Sequence, residues 1–377
     1  MAARNLALPA SLRVGQLKGL SFLCGLPLGG RKDEFIARLT AAAAAAAAPS
    51  PEPRAGPVVL SIDLGLRNLA FSLLTPVSPS ALHKADAKPG AGAAASSLFS
   101  SCTSPPAVHL HLWQRLSLLE VLDNSSGQEG GGDEDLPDAD VPDAAADAAA
   151  DAFSPAALAK TTNTFLQDTV LQLKPLPTHI LIERQRWRSG GAAAIQEWTV
   201  RVNTLEAMLH ASLQTLRHVG AWKGEVVSVW PQRVGQLFLN PSNLGSEDAS
   251  QVKSVGEEGS DAAEGKRKSK RKPSSEIKKL KIQLLGHWLG QGGLVIRPEN
   301  LGARRMVDAY RESLNSVGRG RSKRAVEVEG EGEEKVLTLD RKLDDLTDSL
   351  MQGMAWLRWQ ENMALLRRDG GVEKLLE

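Results

Sequence analysis

The stretch Val58-Val59-Leu60-Ser61-Ile62-Asp63-Leu64-Gly65-Leu66-Arg67-Asn68-Leu69-Ala70 decides how this chain is read. An apolar run from Val58 to Ile62 that ends on a carboxylate has the pattern of a strand buried on both faces. Leu64 to Arg67 supplies a turn, and Asn68 to Thr75 is the hairpin partner. Working outward, Val108 to Trp113 reads as a third strand. His179 to Ile182 is a second buried strand that also ends on an acid, Glu183, and Val226 to Val229 is a further short one. Ala156 to Leu173 is helical, and Ala192 to His218 carries Ile195, Trp198, Val202, Leu205, Met208, Leu209 and Leu213 at the three-four spacing of a long amphipathic helix. Glu276 to Leu289 and Asp340 to Glu361 close the domain as helices. A meander of three strands followed by alternating helix and strand predicts an α/β fold, a mixed five-stranded sheet flanked by helices.

At 377 residues there is room for two domains, or for one domain with large insertions. The net charge of +1 argues against a polyanionic partner, but the charge is unevenly placed. No Lys or Arg falls between Arg115 and Lys160, where Glu120, Asp123, Glu129, Asp133, Glu134, Asp135, Asp138, Asp140, Asp143, Asp147 and Asp151 are all acidic. Setting those eleven acids aside leaves a body of +12, suited to binding nucleic acid. Cys24 and Cys102 are the only cysteines, which excludes a disulfide framework and a four-cysteine zinc site and suits a reducing compartment. The longest uniform apolar run, Ala41 to Ala48, is too short to span a bilayer, so no membrane anchor is expected.

Low-complexity segments divide the chain. Stretches rich in Ala, Ser, Pro, Gly or Asp cannot bury enough apolar surface to offset chain entropy, and they read as linkers or disordered insertions. The division is a small helical unit over 10–42, a linker over 43–56, and a domain over 57–366 with insertions near 78–106, 123–152, 242–275 and 317–334. The first 32 residues hold Arg4, Arg13, Lys18, Arg31 and Lys32 with no acid before Asp33, which fits an organelle transit peptide. The ordered motif that starts near Ser11 competes with that reading. The basic run Lys266 to Lys272 leaves a nuclear address as the alternative.

The chemistry is suggested by where the acids fall. Asp63 and Glu183 end buried strands, where catalytic groups of open α/β sheets gather. Asp345 and Asp348 share a face of the last long helix, and Asp344, four before Asp348, nearly shares it. Such acids repel one another unless positive charge lies between them. Two divalent ions about 4 Å apart, held by oxygen ligands, would supply that charge and suit in-line phosphodiester hydrolysis. Each acid also has a plain structural role open to it: Asp340, Asp344 and Asp345 complement a helix macrodipole, Asp63 opens a turn, and Glu183 pairs with Arg184 or Arg186. An Asp-x-Gly turn also begins actin-type nucleotide sites, but there a hydroxyl residue follows the glycine, and here Leu66 and Arg67 do.

Five ordered blocks carry a resemblance: Ser61 to Ala70, Ile182 to Arg188, Arg201 to His210, Val229 to Val234 and Lys342 to Leu350. Together they are similar to the fungal mitochondrial Holliday junction resolvases, a RuvC-like branch of the RNase H-like superfamily. The resemblance implies a mitochondrial (matrix) homodimer that binds four-way junction DNA and nicks two strands. It implies Mg²⁺ as cofactor, two ions per site with Mn²⁺ able to replace it, and no small-molecule cofactor. Asp63 resembles the first-strand aspartate, Glu183 the central-strand glutamate, and Asp345 and Asp348 the helical pair, with Asp344 an alternative ligand.

The N-terminal unit is similar to a SAP motif, two short helices joined by Gly25-Leu26-Pro27, in which Lys18, Arg31 and Lys32 reach DNA phosphates. Beyond it, Arg186 and Arg188 follow Glu183 closely enough to contact the strand being cut. Lys278, Lys279 and Lys281 are placed to track a junction arm, and a plain solvated face fits them equally. The long helix from Ala192 is the candidate dimer contact. Trp187, Trp198, Trp222 and Trp230 read as core or interface, with stacking on an opened junction base the lesser alternative, and His210 is read as a packed histidine.

Overall fold

The computed structural model describes residues 8–46, 56–77, 103–118, 153–186, 195–239, 274–290, 294–295, 300–317 and 343–376. The strands are β1 (Val59–Asp63), β2 (Leu69–Pro76), β3 (Val108–Leu116), β4 (His179–Glu183), β5 (Glu225–Val229) and a two-residue β6 (Leu294–Val295). They form one sheet in the order β5-β4-β1-β2-β3-β6. β1, β2 and β3 pair antiparallel, while β4 is parallel to β1 and β5 parallel to β4. This is the mixed five-stranded sheet that the sequence predicts, with β6 added at the β3 edge. A two-residue strand is too short to show a periodicity of its own.

Helices cover both faces. On one face lie α3 (Pro155–Thr164), which runs on through a π-turn and a short 3-10 turn to Gln172, and α4 (Glu197–His218). Their Leu158, Phe165, Leu205, Leu209 and Leu213 meet Leu60, Ile62, Phe71 and Ile180 of the sheet. The other face is covered by α5 (Pro231–Phe238), α6 (Ser274–Gly290), α7 (Leu301–Val317) and α8 (Asp344–Leu366). Strand residues alternate between these two cores, which is why β1 is buried along its whole length.

α8 is the central helix. Sixteen of its 23 residues are buried, Thr347, Ser349, Gln352, Arg358 and Asn362 among them, so it is enclosed by the sheet and by other helices nearly all round. Close approach to the sheet depends on Gly353, where a Cβ would lie 2.6 Å from Leu74 Cδ1 and 3.2 Å from Ser61 Cβ.

The N-terminal pair, α1 (Val14–Leu23) and α2 (Lys32–Ala45), packs on the far end of α8 and on α9 (Gly371–Leu376). Leu17, Leu20, Phe35 and Leu39 share a core with Met363, Leu366, Val372 and Leu375. Asn362 Nδ2 donates to the Leu23 carbonyl at 2.7 Å, and Arg233 Nη1 to the Gly25 carbonyl at 3.1 Å. Gly25 has φ 70°, and a Cβ there would be 2.7 Å from the Trp359 ring.

Several sequence-based boundaries move. α2 continues to Ala45 with Ala43 buried, where a linker is expected from residue 43. Alanine is the strongest helix former, and this run is helical up to that point rather than only low in complexity. α8 begins at Asp344 and ends at Leu366, against the expected 340–361, and α4 begins at Glu197 rather than Ala192. Asp340, the basic run 266–272 and nearly all of the four insertions lie outside the described residues. Among the described residues no helix is long and apolar enough to cross a membrane.

Candidate active site

Strand register brings the first two acids together. Ile62 pairs with Ile182 in the parallel β1–β4 ladder, so the next residues, Asp63 and Glu183, emerge side by side at the strand ends. Both point to the α8 face, because they alternate in step with Ser61 and Leu181. Asp63 is buried and its carboxyl is pushed well above the ordinary range, first by loss of water, then by Glu183, Asp348 and Asp345. Glu183 is also raised by burial, opposed by its hydrogen bond with Asp63 and by Lys281 and Arg186. Burial and the neighbouring carboxylates thus push both members of the pair toward the protonated form.

The helical acids face this pair from the first turn of α8. Burial, then Asp344, raises the Asp345 carboxyl to about 6 against the pull of Arg115 and Lys278. Asp348 accepts from Lys281 Nζ at 2.8 Å, and Asp344 accepts from Lys278 Nζ at 2.6 Å. Asp345 and Asp348 act on Asp63 electrostatically, while Asp344 is drawn aside to Lys278. That orientation favours Asp345 over Asp344 as the member of the set.

Polar side chains fix the acid-bearing turn against the sheet. Ser72 Oγ donates to the Ser349 carbonyl at 3.1 Å, and Trp113 Nε1 to the Leu346 carbonyl at 3.0 Å. Tyr310 of α7 and Thr347 share a hydroxyl contact at 2.7 Å. Gln352, one turn after Asp348, donates through Nε2 to Ser61 Oγ and to the Ile62 carbonyl, both at 3.1 Å. The backbone next to Asp63 is thereby tied to the helix that carries Asp345 and Asp348. Each of these groups is buried and has a partner, the condition under which polar groups in a core rigidify it.

Two features are absent from the sequence-based site. Arg115 lies two strands from Asp63 in the same row, through the pairs Asp63–Ala70 and Ala70–Arg115, and it pulls the Asp345 carboxyl down. Its place follows from strand alternation once β3 is extended past Trp113 to Leu116. Gln352 is the second; it is one of several polar residues in α8, and nothing in the sequence sets it apart.

The expected DNA contacts are scattered. Arg186 is near enough to Glu183 to stabilise its charge, and Arg188 lies outside the described residues. Lys279 is exposed, whereas Lys278 and Lys281 are turned to carboxylates; the expectation that all three track a junction arm is corrected for Lys281, which is 9% exposed and committed to Asp348. Lys18, Arg31 and Lys32 are exposed on the N-terminal pair, with Lys32 Nζ on the Ala10 carbonyl at 2.9 Å. They are carried by the pair that packs on the far end of α8, where Met363 and Leu366 lie about 27 Å along the helix from Asp345 and Asp348 at 1.5 Å per residue. Trp222 is core, with Nε1 on the Pro177 carbonyl at 2.7 Å, while Trp198 and Trp230 are part-exposed and Trp187 lies outside the described residues. His210 Nε2 meets Ser228 Oγ at 3.3 Å, away from the acids.

A divalent ion can be tested against this arrangement. Among the described residues no three acids, histidines or cysteines are gathered closely enough to hold a metal ion as the side chains stand. The donor chemistry nevertheless fits a hard cation: all oxygen, four carboxylates, and a concentration of negative charge that helps push the Asp63 carboxyl up. The Lys281 ammonium on Asp348 occupies a position where an ion's charge would otherwise act.

An α/β domain on a mixed sheet, with an acidic site at its strand ends, is the class that fold and site define. A family model described as mitochondrial resolvase Ydc2 / RNA splicing MRS1 matches residues 59–366, and the chain belongs to that family. A curated relative, the mitochondrial cruciform cutting endonuclease 1 of Schizosaccharomyces pombe, is 28% identical over 202 residues, 54% of this chain and 55% of that protein. The chain thus matches about half the length of that curated relative. Among solved structures, the yeast mitochondrial Holliday junction resolvase Ydc2 aligns with 93% of this chain and 95% of its own at 19% identity and a TM-score of 0.44.

Proposed function

We propose that this chain is a mitochondrial endodeoxyribonuclease that resolves four-way DNA junctions by paired, metal-dependent nicks. The observation that carries the reading is the convergence of Asp63 and Glu183 from adjacent strands on Asp345 and Asp348 of α8. The family match and the name of the curated relative support the substrate. Asp63, Glu183, Asp345 and Asp348 would hold two Mg²⁺ ions, which when bound lower the pKa of an attacking water and stabilise the leaving 3′ oxygen.

The chain's own residues do the rest. Gln352, Ser72 and Trp113 keep the helical acids in register with the strand acids, which positions the reacting groups before substrate arrives. Arg115 and Arg186 offer positive charge beside the acids to the scissile phosphate. Lys18, Arg31 and Lys32 on the N-terminal pair, read as a SAP motif, and Lys279 on α6 hold DNA arms away from the cut. A homodimer would place two such sites on opposite strands of a two-fold symmetric junction, with α4 the contact. The products carry 5′-phosphate and 3′-hydroxyl ends, and the matrix is the site of action.

The test incubates the protein and its Asp63→Asn variant with labelled four-way junction, linear duplex and RNA–DNA hybrid, each with Mg²⁺ or EDTA. Paired metal-dependent nicks confined to the junction and lost in the variant are expected. Cutting of the hybrid instead would keep the site and overturn the substrate. The family description also names an RNA splicing protein, which favours as second reading a non-cutting scaffold for structured nucleic acid. Tight binding without cleavage under every metal would establish it.

A further inference from the structure

Lys281 is the one lysine of α6 that the fold draws inside. Its neighbours on the same helix, Leu280, Leu284, Leu285 and Trp288, form ordinary core, yet Lys281 is only 9% exposed. Its stem runs beside Gly235 of α5, where a Cβ would make an ordinary contact with Lys281 Cε at 3.5 Å. The ammonium emerges between α5, α6 and α8 with Nζ 2.8 Å from Asp348 Oδ1, and its charge also reaches Glu183. Burying a lone ammonium costs several kcal/mol unless it is paired. Here the pairing partner is a member of the acid set itself.

A second rung flanks the first. Lys278 Nζ lies 2.6 Å from Asp344 Oδ2, three residues earlier on α6 and four earlier on α8. The outer rung is exposed, with half of the Lys278 side chain in solvent. The outer acid is also the one turned away from Asp63. The two rungs are alike in chemistry but differ in burial and in distance from the site, so each serves as a control for the other.

We propose that Lys281 is the internal counter-ion of the acid site and competes with divalent metal for Asp348. The inference rests on the metal-nuclease reading above. Lys281 is the cation that makes a hydrogen-bonded ion pair with Asp348, while Arg115, Arg186 and Lys278 act on the acid set electrostatically. An ion that takes Asp348 must displace that ammonium or accept a like charge beside it, and either weakens its binding. The displaced ammonium remains inside the site, where a substrate phosphate is the next available anion.

The test measures Mn²⁺ binding to the full-length protein without DNA, by calorimetry and by the loss of the free-ion paramagnetic resonance signal. Lys281→Met is expected to bind Mn²⁺ about tenfold more tightly than wild type, the scale of one screened charge contact. Lys281→Arg keeps the charge and stays within about threefold of wild type, as does Lys278→Met at the outer rung. Thermal melts in EDTA confirm folding, and Lys281→Gln replaces the methionine variant if that one fails to fold. Equal or weaker Mn²⁺ binding by the neutral variants, with wild-type binding present and lost in Asp63→Asn, would overturn the counter-ion assignment and leave the metal site standing. No Mn²⁺ binding by wild type or any variant would overturn both.

Discussion

Replacing Asp345 by Asn should raise the stability of the metal-free protein. In the folded chain the Asp345 carboxyl is raised from 3.8 to about 6, chiefly by burial and by Asp344. A folded-state value above the unfolded one means that the native protein binds the proton more tightly. Stability is therefore undiminished below about 3.8, falls as pH rises through the window from 3.8 to about 6, and carries the whole penalty above it. At 1.36 kcal/mol per pH unit the penalty is about 3 kcal/mol, and screening of a part-exposed carboxylate reduces it to about half. Asparagine forgoes the favourable charge at the first turn of α8, about 0.5 kcal/mol, so about 1 kcal/mol of net gain remains. For a domain of this size that is a rise of about 2–4 °C in Tm. Circular dichroism melts in EDTA at pH 7.5 and at pH 5 measure it. The gain should appear at pH 7.5 and shrink at pH 5, and an unchanged or lowered Tm at pH 7.5 would refute the idea that the ionised Asp345 carboxylate destabilises the metal-free fold.

Mg²⁺ should raise the Tm of wild type, and more at pH 7.5 than at pH 5.5, because its ligands must lose their protons; Asp63→Asn should abolish the rise while still binding junction DNA in gel shift. Gln352→Ala removes two buried hydrogen bonds and should cost about 1–3 kcal/mol by urea denaturation. Its junction cleavage should fall further than its junction affinity, since it holds α8 to β1 rather than touching DNA. Ala43→Asp, at a position 2% exposed against the end of α8, should destabilise by about 1–3 kcal/mol, whereas a true linker residue there would tolerate it within about 0.5 kcal/mol.

The parts of the fold legible in the sequence are those where burial acts on a short period. β1 and β4 are buried on both faces and end on acids, so their apolar runs and their terminal carboxylates stand out together. The pairing of Asp63 with Glu183 is not in either run; it appears only when the parallel register aligns Ile62 with Ile182. α7 escaped although Ala303, Met306, Val307 and Tyr310 have helical spacing and are buried. Its remaining positions are mostly charged or polar and it lies between low-complexity segments, so the apolar stripe is easily read as loop. Lys281 shows the limit most clearly, because Lys278, Lys279 and Lys281 are chemically identical in sequence. Only the packing of α5 and α8 decides that one faces water and another faces Asp348.

α8 brings together parts of the chain that are made at very different times. It is the centre of the core, yet it is synthesised after every strand of the sheet it covers. At about 5–20 residues per second, Asp63 waits roughly a quarter of a minute to a minute for Asp345 to follow. Until then one face of the sheet has no central helix, and half of the acid set does not exist. The same helix that closes the core delivers Asp345 and Asp348, so a chain interrupted before residue 344 lacks both a complete interior and a complete site. The chemistry proposed for the acid site is thereby out of reach of partly made or partly folded chains.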